Sequence, residues 1–94
     1  MFFKNELSEN EVKRLSKLIE ECSEVIQAAC KVIRFGYEST PPNSERTNRF
    51  SLECELADLE HAVQHLKYRD EVSTETIEAL VEGKIDEIPL HEEF

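Results

Sequence analysis

Apolar residues recur at alternating steps of three and four early in the chain: Leu15, Leu18, Cys22, Val25, Ala29 and Val32. Ile19, Ile26 and Ile33 widen that stripe on one side. The period belongs to a helix with one broad packing face. Ser8 and Glu11 have the spacing of a capping box, with Leu7 and Val12 as the apolar staple around it, so the helix is predicted to begin there. Gly36 is its stop, and Arg34 stands where positive charge suits the negative end of the helix dipole. At 1.5 Å per residue, a rod over residues 8–35 is about 40 Å long.

Residues 37–47 carry Pro41, Pro42, Asn43 and several hydroxyl residues, breakers that predict a loop with room to move. A second helix starts at Thr47 or Asn48, either of which can cap it. Its stripe is Leu52, Leu56, Leu59, Val63 and Leu66, and it runs out around residues 68–70. A shorter third helix follows Ser73, with Ile77, Leu80 and Val81 expected to be buried and Gly83 as its stop. From Lys84 onward, past Pro89, the pattern predicts an extended and partly disordered tail. The fold class is all-α: a single domain over residues 1–94, its motif-bearing core at about 8–70, with a short helix and tail at 73–94. Three helices are too few to cover both long stripes. A second copy would complete a four-helix bundle, so a homodimer or homotetramer is expected.

Composition narrows the function classes. With 94 residues, no Trp, two Gly and a third of the chain charged, helices are favoured over sheets. The net charge is −10, and the eleven basic residues form no run, which argues against nucleic-acid binding through phosphate contacts. Anionic nucleotides stay open, because a bound divalent ion inverts the local sign. Cys22, Cys30 and Cys54 cannot all pair and lack metal-finger spacing, so they read as free thiols in a reducing compartment. No apolar run reaches membrane-spanning length, and Met1-Phe2-Phe3-Lys4 is too short for a signal peptide. A cytoplasmic protein that binds no membrane is expected.

The acids are the candidate chemistry. On a helical wheel, Glu21 lies about 90° and Glu24 about 150° from the centre of the first stripe. Glu55 and Asp58 lie about 60° and 120° from the centre of the second. Each pair thus occupies a shoulder of its stripe, followed by an alanine (Ala28, Ala62) and then by Lys31 or His65. Glu20, Glu53 and Glu60 point elsewhere. Four carboxylates from two facing helices make a hard-oxygen cage of the kind Mg²⁺ takes. The alternative is two solvated faces whose acids splay into water. Lys31 is either a phosphate partner or a surface lysine bonded to Glu24 or Gln27. Asn48 is either a nucleotide contact or a helix cap. His61, three residues after Asp58, makes half of a di-iron carboxylate motif without a matching His on the first helix. His65 and His91 read as surface residues.

Glu20-Glu21-Cys22-Ser23-Glu24, a loop, then Glu55-Leu56-Ala57-Asp58 resembles the MazG-like family of all-α nucleoside triphosphate pyrophosphohydrolases, in its small phage-type form. Gln27-Ala28, Lys31, Arg34-Phe35-Gly36 and Thr47-Asn48-Arg49 extend the likeness over residues 15–66. The gap between the two motifs is long for that family, which marks the loop as this chain's own. The resemblance implies a Mg²⁺- or Mn²⁺-dependent enzyme that cleaves a (d)NTP to the (d)NMP and pyrophosphate. It implies Glu21, Glu24, Glu55 and Asp58 as metal-binding and catalytic residues, Lys31 and Asn48 as substrate contacts, and the host cytoplasm as location if phage-encoded. Two other classes stand beside it: a non-catalytic acidic helical dimer serving protein interactions, and a carboxylate-bridged di-metal redox protein.

Overall fold

The computed structural model describes residues 6–87, and among them the chain forms α1 (Glu9–Phe35), α2 (Asn48–Tyr68) and α3 (Thr74–Val81), with no strand. The expectations for Met1-Phe2-Phe3-Lys4, for the tail around Pro89 and for His91 lie outside the described residues.

Local chemistry sets each helix boundary. The Ser8 hydroxyl accepts the Glu11 N–H at 3.0 Å while the Glu11 carboxylate accepts the Ser8 N–H at 2.7 Å, closing the capping box. Thr47, rather than Asn48, caps α2 by accepting the Phe50 N–H, and Ser73 caps α3 through Thr76. Gly36 stops α1 at φ 92°, a region open to glycine. Helix α2 ends with the Glu71 N–H on the Leu66 carbonyl and the Asp70 N–H on that of Lys67, at 2.9 and 3.0 Å. This Schellman turn puts Asp70 at φ 56°, which a short polar side chain tolerates. The same pair of bonds, from Lys84 to Ala79 and Gly83 to Leu80, ends α3.

Interhelical packing is concentrated between α1 and α2, which lie antiparallel. One row of each helix makes the seam. On α1 it runs Arg14, Leu18, Glu21, Val25, Ala28, Val32; on α2 it runs Asn48, Leu52, Glu55, Leu59, Ala62, Leu66. All twelve are buried or half-buried, and their four-three spacing is that of two helices packed along their length. The wheel puts both acids of each pair on a shoulder of their stripe, and the structure keeps only Glu24 and Asp58 at the edge of the contact. Glu21 and Glu55 stand on the seam itself. The two alanines, Ala28 and Ala62, are buried where the helices approach, and Ala62 also floors the depressions beside the acid cluster.

The wheel erred because the first stripe is two faces merged. Leu18, Val25, Ala29 and Val32 are half-buried, whereas Ile19, Ile26 and Ile33 are 69%, 63% and 83% exposed and Cys22 is exposed with them. Averaging both sets moved the calculated centre away from α2. All three cysteines are free thiols, as their spacing predicted. Helix α3 also departs from expectation, since Ile77 and Leu80 are half-buried and Val81 is exposed. Eight residues with no helix packed over them cannot bury a full apolar face.

The loop is tied down at both ends rather than free. The backbone N–H groups of Asn48 and Arg49 donate to the carbonyls of Ser39 and Tyr37, each at 2.8 Å. The buried Asn48 amide donates to the Gly36 carbonyl, and Arg49 pairs with Glu38 while lying over the Tyr37 ring. At the opposite end of the hairpin, Arg14 donates from Nε to Glu71 at 2.8 Å, and a second contact from its Nη2 closes the pair. Both side chains are largely shielded. The Schellman turn after α2 thus aims Glu71 at the first turns of α1.

The Arg14 hydrogen bonds hold the Glu71 carboxyl below its ordinary value, against the opposing effect of its burial. Its stabilisation is therefore present above the ordinary carboxylate range and is lost as pH falls through the lowered value. Glu71→Gln should melt lower than the parent at neutral pH. The two melting curves, followed by circular dichroism, should converge in acid once Glu71 is protonated.

Candidate metal centre

Position along the seam decides the site. Glu21 and Glu55 are seam residues of facing helices, and Glu24 and Asp58 stand three residues beyond each, on the same edge of the contact. One carboxylate oxygen from each of the four lies within 4.8 Å of the others. Oxygens on opposite sides of one hard divalent cation are about 4.2 Å apart for Mg²⁺ and about 5 Å for Ca²⁺, so the cluster has the span of an ion's coordination shell. Glu20, which the resemblance groups with them, is exposed and outside this cluster, as the wheel predicted.

The electrostatics ask for positive charge. Glu21 is only 4% exposed. Its Oε2 lies 2.9 Å from Lys17 Nζ, while its Oε1 and the Oε1 of Glu55 are buried without a hydrogen-bond partner. Buried carboxylate oxygens left unsatisfied are costly unless a cation or a proton meets them. Burial pushes the Glu24 carboxyl above its usual range, with the charges of Glu21 and Glu55 next in effect. Asp58 is the exposed member, at the solvent edge. An all-oxygen set with two orphaned buried atoms could hold a metal ion, with Glu21, Glu24, Glu55 and Asp58 as its ligands.

The remaining candidates divide along the hairpin. Lys31 and Asn48 come together toward the loop end, lining a cavity of about 260 Å³ with Phe35, Ser39, Pro41 and Pro42. Asn48 is buried and holds Gly36, so its amide works on the loop. Arg34 lies over the Phe35 ring in the last turn of α1. His61 packs edge-on against His65, ring centroids 4.9 Å apart, and stays outside the four-acid cluster. Two features went unread in the sequence. The Lys17–Glu21 pair was available as an (i, i+4) spacing. The apolar wall of Phe35, Pro41 and Pro42 had no periodic signal, because loop closure creates it.

Divalent metal should stabilise the fold. At a hundredfold excess over Kd, Mg²⁺ or Mn²⁺ should raise Tm by on the order of 10 °C. The rise should vanish in the Glu21→Gln, Asp58→Asn double variant. With chelator present the sign reverses for single neutralisations: Glu24→Gln should melt higher than the parent. Because the folded state raises the pKa of Glu24, the metal-free parent should also gain stability as pH falls through that raised value, and the variant should lose this dependence.

No helix among the described residues is long and apolar enough to cross a membrane. Compared with known proteins, the chain matches no family model, no curated protein and no solved structure.

Proposed function

We propose that this chain is a Mg²⁺-dependent nucleoside triphosphate pyrophosphohydrolase, working as a homo-oligomer. The observation that carries this reading is the cluster of Glu21, Glu24, Glu55 and Asp58 within 4.8 Å, with two buried oxygens lacking partners. A divalent ion held by these four carboxylates would neutralise phosphate charge and lower the pKa of a bound water. Glu21 and Glu55, clamped in the helix contact, fix the centre. Asp58, at the solvent edge, faces the side from which water and substrate must arrive, and takes the water's proton. The water oxygen bonds to the α-phosphorus, the bond to the α–β bridging oxygen breaks, and its electron pair leaves with pyrophosphate. Toward the loop, Lys31 lies seven residues beyond Glu24, about 10 Å along the same helix face. The cavity there, walled by Phe35, Pro41 and Pro42, suits a base and sugar.

The outer stripe supports the oligomer. Ile19, Ile26 and Ile33 are more than half exposed, and covering each is worth on the order of 1–2 kcal/mol. A second copy of the hairpin laid on this face buries them in a four-helix bundle.

Pyrophosphate release from triphosphates at saturating Mg²⁺ tests the enzyme reading. Glu24→Gln should lose about 10²–10³ in turnover. Glu20→Gln, outside the cluster, should stay within about tenfold. Equal inactivity would remove Glu24 from its assigned place, and full activity in both would end the hydrolase reading. Separately, Ile19→Asp with Ile26→Asp should shift the parent's mass in light scattering to that of a monomer; a parent already monomeric and active would refute the oligomer.

A further inference from the structure

Away from the loop, the acid cluster opens into two adjoining depressions of about 240 Å³ each, which share Lys17, Ala62 and His65. The nearer one reaches Glu21, Asp58 and His61. The farther one is lined by Asn10, Lys13 and Arg14, and contains no acid. Along α1 the sequence of charges is therefore Glu24, Glu21, Lys17, Lys13, at helical steps of three and four that keep all of them along one side. Across from these, α2 supplies Asp58, His61 and His65. A chain with 21 acidic and eleven basic residues has here turned positive side chains and donors toward one groove that ends on its carboxylate cluster.

Lys17 occupies the junction. Its Nζ is 2.9 Å from Glu21 and 3.7 Å from Glu20, yet the side chain is 60% exposed, so the ammonium pairs with both carboxylates and still presents donors to the groove. Arg14 contributes shape only, because its guanidinium is committed to Glu71. The floor, at Ala62, is small and buried.

We infer that this groove is the subsite for the β- and γ-phosphates, in which Lys17, Lys13 and His65 bind the pyrophosphate as it departs. The inference rests on the hydrolase reading and gives the site a direction: nucleoside toward the loop, pyrophosphate toward the start of α1. The carboxylates alone would repel a triphosphate tail once its charge exceeds what the bound ion offsets. Two lysines and an imidazole N–H beside them counter that repulsion and stabilise the leaving group without touching the metal.

The test is calorimetric titration of inorganic pyrophosphate into the whole chain at saturating Mg²⁺, with Mn²⁺ binding followed separately by electron paramagnetic resonance. Lys17→Gln should weaken pyrophosphate binding by at least about tenfold. Lys13→Gln and His65→Gln, which leave the acid cluster alone, should each weaken it several-fold, and Lys17→Arg should keep most of the affinity. Mn²⁺ should bind Lys17→Gln as well as the parent or better, since a competing cation is gone. Binding of a nucleoside monophosphate should be the same in all. If Mn²⁺ binds the parent but no variant changes pyrophosphate affinity, the subsite is wrong while the metal centre stands. If Mn²⁺ does not bind the parent, the metal centre and this inference fall together.

Discussion

Two carboxylates packed into the line where α1 and α2 meet set the terms for this molecule. Glu21 and Glu55 occupy seam positions that Leu or Val would fill at lower cost, and each leaves a buried oxygen without a partner. Such an arrangement weakens the hairpin by itself, and a cation bound there would offset that cost and couple its binding to folding. Ala28 and Ala62 let the helices approach, Leu18, Val25, Leu59 and Leu66 supply apolar contact on either side, and Lys17 offsets one charge from outside.

The two ends of the hairpin hold that geometry in different ways. At one end Arg14 and Glu71 clamp the start of α1 to the turn after α2. At the other, Asn48 and Arg49 bind the returning loop through backbone and side chain. Displacing either end would let the helices slide past one another, and a slide of one residue would move Glu55 about 1.5 Å along the axis relative to Glu21.

Helix α1 serves two faces at once. Its inner row meets α2 and carries the acids, while Ile19, Ile26 and Ile33 form an outer apolar row in solvent. An exposed apolar row of this kind is the feature on which the proposed oligomer rests.

Caps, stops and helix lengths were legible in the residues alone, because a capping box, a glycine at positive φ and a four-three apolar period act over neighbours in sequence. Ser8 with Glu11, Thr47, Ser73 and Gly36 all behave as their local chemistry dictates. The grouping of Glu21 with Glu24 and of Glu55 with Asp58 was likewise written in their spacing, as was the turning away of Glu20. Burial was not. Whether Ile19 or Glu21 faces α2 depends on which of two overlapping stripes meets the neighbouring helix, and a wheel drawn for one helix has no neighbour in it. The apolar wall of Phe35, Pro41 and Pro42 and the clamp of Arg14 on Glu71 join residues far apart in the chain, through a loop closure and a turn. Those distances were decided only when the two helices packed, because packing sets which side chains lose their water.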